Sequence, residues 1–433
     1  MRMSLQGFGL HLLNRVAQAD WPDRLGLRNG LEKVLYHGSR QGFRAASSVA
    51  QRFKASPGAR AQLRPGTRTD LFDLSWSDEQ EQIRDSLARF AREILTPQAH
   101  LADSHSELPA AVVTASSELG LPAYAIPEAH GGMATENGQV TQALIAETLA
   151  QGDLSLAAAL LTPIGAANAI SRWGSGEQQA TYLPAFLDEQ QPLIASIAIV
   201  EPEPLFDPMR LRTLATRQGQ DYRLNGRKSL VLRGAQADLL LIAAHTEQGP
   251  AVFIAESDSP GLKRREAPAM GLHACACTDL LIEDLRLPAR QRLGDEDFDY
   301  HAFLDLSSLG WCALAQGCAQ AVLDYVIPYC NERSAFGEPI SHRQSVAFMI
   351  AQMAIDLDAM RLLTWRAASR AEQGLDFHRE AYLARLFCNE KSMQIGTDGV
   401  QLLGGHGYTQ EHPVERWYRD LRAIAVLHGA MHL

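Results

Sequence analysis

The sequence predicts an α+β chain whose segments run helical, then β, then helical. Three observations carry this. Apolar residues recur at helical spacing over about 75–193. They change to short alternating or continuous apolar runs over about 194–297, and helical spacing returns over 298–433. A chain of 433 residues exceeds one ordinary core, so more than one domain is expected.

Residues 1–74 form a basic extension and linker. Residues 1–69 hold twelve Lys/Arg against three Asp/Glu, a net of +9, while the whole chain is −10. Leu12, Leu13 and Val16, and then Leu31, Val34 and Leu35, fall at helical spacing. One reading of this arm is contact with an anionic membrane surface or a partner; the other is an extension packed on the body with a solvated charged face. Its acid-poor, Ser/Arg-containing composition also fits an organelle transit peptide, while no apolar core near Met1 marks a secretory signal. The Pro/Gly/Arg-rich stretch 55–70 reads as a linker.

A long helix is expected from "SWSDEQEQIRDSLARFAREILTP". Ser77 with Gln80 makes a capping box, Ile83, Leu87, Phe90, Ala91 and Ile94 make the buried stripe, and Pro97 stops it. Helical patterns continue to about 193. Strands are expected in "PLIASIAIVEP", "DYRLNGRKSLVL", "ADLLLIAAHT", "AVFIAES" and "TDLLIEDLRLP", with Asn-Gly, Gly and Pro as hairpin signals. Three long helical patterns and a short terminal one then predict an antiparallel bundle.

Composition narrows the function classes. Hydrophobic residues are 46% and charged residues 21%, a globular balance, and no run of about 18 apolar residues predicts a spanning helix. The six cysteines lack paired CxxC spacing, which predicts reduced thiols in a cytoplasmic setting. Cys275 and Cys277 share a strand face, but no second ligand pair accompanies them, so no metal site is expected. The acidic remainder, −19 beyond residue 69, argues against nucleic acid as a partner.

Several motifs in order resemble the acyl-CoA dehydrogenase family over roughly 75–433. "VQLLGGHGYTQEHPVERWYRD" (400–420) follows the family's Q-x-x-G-G-x-G-[YF]-x-x-E-x-P-V-E-R-x-Y-R-D. "ERSAFGEPISHRQSVAFMIAQMA" (332–354) resembles its R-x-x-F-G segment, and "ELGLPAYAIPEAHGG" (118–132) its E-x-G…P-E-x-x-G-G. The resemblance implies an N-terminal all-α domain (75–193), a middle β-barrel domain (194–297) and a C-terminal antiparallel four-helix bundle (298–433), usually in tetramers. It also implies FAD-dependent α,β-dehydrogenation of an acyl thioester, on CoA or an acyl carrier, with electrons passed to an electron-transferring flavoprotein. Arg333, Phe336, Gln401, Gly404 and Gly405 match the groups that bind the FAD held by a neighbouring subunit. Arg333 is a forked cation suited to pyrophosphate, and the glycines admit close backbone approach. Arg416, Arg419 and Asp420 are expected to make structural ion pairs.

The chain departs from the family where the family does its chemistry. "VEPEPLFD" (200–207) replaces T-E-P-G-x-G-S-D, so Val200 stands for a flavin-bonding threonine. Leu230, Val231 and Leu232 replace W-I-[TS]. The family's usual base, the Glu of Y-E-G-T, is His428, and the alternative position on the first bundle helix is Ser307. Three readings stand at the base. A neutral His428 takes the proton, Asp305 reaches in from one turn earlier, or there is no base. They correspond to an enzyme with an altered base and to a catalytically deficient partner subunit of a heteromer. A flavin monooxygenase or oxidase on the same fold is a further reading.

Overall fold

The computed structural model describes residues 75–134, 138–188, 191–294 and 298–433; the basic arm, with the expectations placed on it, lies outside the described residues. Helix α1 (Asp78–Phe90) starts at the capping box: Gln80 N–H donates to Ser77 Oγ at 3.1 Å and Ser77 N–H to Gln80 Oε1 at 3.1 Å. Pro97 does not stop it. The helix widens into a π turn (Ala91–Leu95) and continues as α2 (Thr96–His105). In the wider turn Thr96 N–H reaches back five residues to Ala91 O. Pro97 then stands in the first turn of α2, where a missing N–H costs nothing. Thr96 Oγ1 also donates to Gly152 O at 3.2 Å, tying the turn to the next layer.

Helices α3 (Ala110–Glu118), α4 (Gln139–Gly152), α5 (Leu154–Trp173) and α6 (Gly176–Tyr182) complete the first segment. By length and composition α5 is apolar enough to cross a membrane, which the run-length reading missed, yet most of it is buried in this core. Asp153 joins α4 to α5 and caps the latter, accepting from Leu156 N–H at 2.9 Å.

The middle segment is one seven-stranded sheet: β1 (Ala195–Ala198), β2 (Leu214–Gln218), β3 (Asp221–Val231), β4 (Leu239–Thr246), β5 (Gly249–Glu256), β6 (Leu262–Glu266) and β7 (Thr278–Pro288). The order is β1-β4-β2-β3-β7-β6, with β5 also on β4. The sequence reading lacked β2 and β6, because "LATRQ" and "LKRRE" bury at most one side chain and show no apolar alternation. Asn225-Gly226 is no turn either. It lies within β3 at a register shift against β7, and a Cβ at Gly226 would overlap Thr213.

The last segment is α7 (Tyr300–Glu332), the two-residue strands β8 (Ser334–Ala335) and β9 (Glu338–Pro339), α8 (Gln344–Glu372), α9 (His378–Leu403) and α10 (Val414–Arg422). One buried cluster runs through both helical segments and one face of the sheet, with Leu149, Leu160, Ile197, Trp311, Ala368 and Leu421 among its members. A second cluster, around Leu224, Leu240, Phe253 and Leu285, lies within the sheet.

The segments meet at α10. Arg416 Nε lies 3.0 Å from Asp153 Oδ2, both buried, and Arg419 lies 2.6 Å from Asp103 and 2.8 Å from Glu415. Asp420 was expected in an ion pair but instead accepts Leu272 N–H at 2.6 Å. Burial, then the neighbouring Asp153, pushes its carboxyl well above the usual carboxylate range. Gly271 is needed here, since any Cβ would press on the Arg419 backbone. Truncating Arg416 leaves Asp153 buried without its cation. Arg416→Ala is therefore expected to lower stability by about 3–5 kcal/mol, read from the urea midpoint.

Candidate active site

After α10 the chain turns inward, and Leu427 to Leu433 thread between α5, α7 and β1. A Cβ at Gly165 of α5 would overlap Ala430 O, and one at Gly310 of α7 would overlap Met431 O. Trp311 Nε1 donates to Gly429 O at 2.8 Å and Asn168 Nδ2 to His432 O at 2.9 Å. This passage sets His428 on the inner side of the 200–207 loop, with its ring edge-on to Phe206 at 6.1 Å between centroids.

The surroundings of His428 disfavour its charged form. Burial, and then the Arg385 cation, pull the imidazole down to about 4, against a smaller opposing pull from Asp207. Arg385 is buried in α9 and donates to Leu427 O at 2.6 Å. Sequence reasoning missed it, although the signal was present: it falls in the stripe Ala381, Arg385, Cys388, Ser392, all buried. A neutral imidazole this weakly basic is a poor acceptor for a carbon-bound proton.

Asp305 is engaged elsewhere, and Ser307 carries no carboxylate. Asp305 is hydrogen-bonded to His378 Nδ1 at 2.7 Å, and burial raises its carboxyl despite that partner. Ser307 is buried in α7, with no hydrogen-bond partner for its hydroxyl among the described residues.

Beside this segment lies an apolar cleft of about 250 Å³ lined by Leu230, Leu272, Cys277, Ala423, Val426 and Leu427, with Arg419 and Arg422 at its rim. Of the residues that replace the family's flavin-ring donors, Leu230 lines this cleft, while Val200 and Leu232 are buried in the chain's own core. A flavin ring placed here would meet no hydroxyl from either position, at roughly 1–3 kcal/mol per unpaired polar group. The chain's own half of the site does not fit a flavin ring. The loop over it is pinned by a buried pair: Glu201 accepts from Lys228 Nζ at 2.7 Å and from Thr213 and Arg212 N–H at 2.9 and 2.7 Å. Burial pulls the Lys228 ammonium down to about 8 against the pull of Glu201.

The other predicted cofactor residues gather on a different surface. Arg333, Gln401, Gly404 and Gly405 line one open cleft of about 400 Å³ with Tyr329 and His406. Gly404 has φ 58 and ψ −131, open to glycine alone, and nothing lies within 4 Å of a Cβ at Gly404 or Gly405. Arg333 makes no ion pair among the described residues. Phe336 does not line the cleft. It stands nearby at the tip of the β8–β9 hairpin, 96% exposed and at φ 55, a conformation unfavourable for a bulky residue. Tyr329 and His406, hydrogen-bonded at 2.9 Å, belong to this surface but were not among the predicted residues. This cleft fits an anionic group with a polar ring. Cys275 and Cys277 do not share a strand face as expected: Cys275 ends a 3-10 turn (His273–Cys275) ahead of β7 and donates to Ser155 O at 3.4 Å.

Three family models match in series: acyl-CoA dehydrogenase N-terminal domain over 77–190, middle domain over 196–285 and C-terminal domain over 301–432. Cyclohex-1-ene-1-carbonyl-CoA dehydrogenase of Geobacter metallireducens is 33% identical over 364 residues, covering 82% of this chain and 95% of that protein. Butyryl-CoA dehydrogenase from Megasphaera elsdenii superposes with a TM-score of 0.75 at 28% identity, over 83% of this chain and 96% of that one. PigA, solved as an FAD complex, superposes with a TM-score of 0.75 at 27% identity, over 83% and 96%.

The depressed imidazole has a consequence for stability. Between about pH 6.5 and about 4 the unfolded chain takes up a proton at His428 that the folded chain refuses. Stability therefore falls as pH falls through that window, by about 2 kcal/mol at pH 5 from this residue. His428→Gln is expected to remove that share of the slope in urea melts at pH 7 and pH 5.

Proposed function

The chain belongs to the acyl-CoA dehydrogenase family, and from that premise we propose that it is a partner subunit of a heteromeric acyl-CoA dehydrogenase, completing the FAD site of a related subunit. The observation that carries this reading is an asymmetry. Groups that would serve a neighbour's cofactor, Arg333, Gln401, Gly404 and Gly405, are together and open, with Phe336 displayed beside them. Groups that would serve its own are hydrocarbon, and the base position carries a half-buried imidazole depressed to about 4.

In this reading the FAD supplies the redox chemistry when bound by the related subunit. This chain's part is to hold its phosphates and polar ring through Arg333, Gln401 and the glycine backbone. The acyl thioester and the electron-transferring flavoprotein are handled by the related subunit. The division into 75–193, 194–297 and 298–433 is proposed as the domain organisation of the same unit. An exposed apolar stripe on α8, Phe348, Ile355 and Leu362 at seven-residue spacing, together with exposed Tyr382 and Leu386 on α9, supports assembly through the bundle.

Co-expression with a related subunit that carries an intact carboxylate base tests the reading. Arg333→Ala with Gln401→Ala is expected to lower the FAD retained by the complex, and its acyl-CoA dehydrogenase activity, by tenfold or more. His428→Ala is expected to leave both unchanged; an activity lost in His428→Ala would instead make this chain an enzyme with a histidine base. Phe348→Asp with Ile355→Asp is expected to reduce the assembled mass in size-exclusion chromatography with light scattering.

A further inference from the structure

Outside the candidate site the molecule holds a cavity of about 670 Å³ between α3, α5 and the segment that leads into β1. One wall is the stripe Leu160, Pro163, Ile164 and Ala167 of α5, and Phe186 faces it. Arg233, from the turn between β3 and β4, lines the same space. Its backbone is fixed at φ 52, with its N–H donated to Cys275 O at 2.6 Å.

Arg233 is short of partners. Its Nε is shielded from solvent and has no hydrogen-bond partner, and Nη1 makes a single long contact of 3.4 Å with Ala159 O. No carboxylate lies within ion-pair distance among the described residues. Asp238, also on the lining, is exposed and accepts Ile194 N–H at 3.0 Å; Asp188, exposed as well, accepts Gln191 N–H at 2.8 Å. A guanidinium left this way beside hydrocarbon is unfavourable, and an anion with an apolar body relieves it. The volume lies in the range of small-molecule sites.

We propose that this cavity binds a small amphipathic monocarboxylate, its carboxylate on Arg233 and its apolar chain along the α5 stripe. The head forms charge-assisted bonds with the free guanidinium edge, where a carboxylate matches the planar fork. The hydrocarbon lies along Leu160, Ile164 and Phe186, which takes the ligand's own apolar surface out of water. The site shares no lining residue with the apolar cleft beside His428 or with the Arg333 cleft, so it stands independently of the proposed function.

Calorimetric titration of the full chain with octanoate, and with octan-1-ol as its uncharged counterpart, tests the proposal. Octanoate is expected to bind once per chain, at least about tenfold more tightly than octanol. Arg233→Met is expected to weaken octanoate by about tenfold or more while leaving octanol unchanged. Ser117→Phe, on the cavity wall with Arg233 intact, is expected to weaken both, and His428→Glu neither. Equal binding of acid and alcohol, no octanoate binding, or an Arg233→Met chain that binds octanoate as before would overturn the proposal.

Discussion

The fold depends on one buried ion pair, Arg416 with Asp153. Asp153 ends α4, caps α5 and receives the guanidinium of α10, so a single carboxylate fixes three elements. One turn on, Arg419 reaches Asp103 at the end of α2, and Asp420 holds the Leu272 amide of the middle segment. These contacts bring α10 against both other segments. They also set the direction of the chain that follows. Everything from Ala423 to Leu433, the base position included, hangs from this clamp. The family's arginine- and aspartate-bearing motif therefore persists here for architectural reasons, even where the chemistry next to it has changed.

That change is coherent rather than scattered. A family carboxylate at the base position would sit above Arg385, a buried cation that suits an anion. With His428 there, burial and then the same cation keep the imidazole neutral and weakly basic. Phe206 covers the ring, and Leu230 and Val426 line the adjoining cleft. Such a site retains packing while losing binding groups, and the exposed cleft at Arg333 shows no corresponding loss. Shared cofactor sites allow this division, because each half can be lost without the other.

Much of this was legible in the residues. The capping box at Ser77 and the order of helical and strand periods follow from local rules that hold in the structure, while the grouping of Arg333 with Gln401 and the glycine turn was implied by the family resemblance. The misses share a cause. Pro97 reads as a stop unless one knows that the turn before it widens, a change no periodicity marks and beside which Thr96 bonds Gly152 from the next layer. Strands β2 and β6 are held by pairing with β3 and β7 rather than by burying side chains, so no periodicity marks them. Asp420 looks like an ion-pair partner from its place in the motif, but its partner is a backbone amide 148 residues away in sequence. Arg233 was invisible for the same reason, since what makes it matter is the hydrocarbon around it, whereas Arg385 did carry a signal in its place on the buried stripe of α9.

The central claim is that this chain holds cofactor-completing groups for another subunit and has no ring site of its own. The flavin content of the purified full-length chain, after incubation with excess FAD and removal of the unbound fraction, tests this most directly. The account predicts far less than one FAD per chain. Retention of one FAD per chain by the protein alone would contradict it, since the hydrocarbon cleft beside His428 would then be a working flavin site.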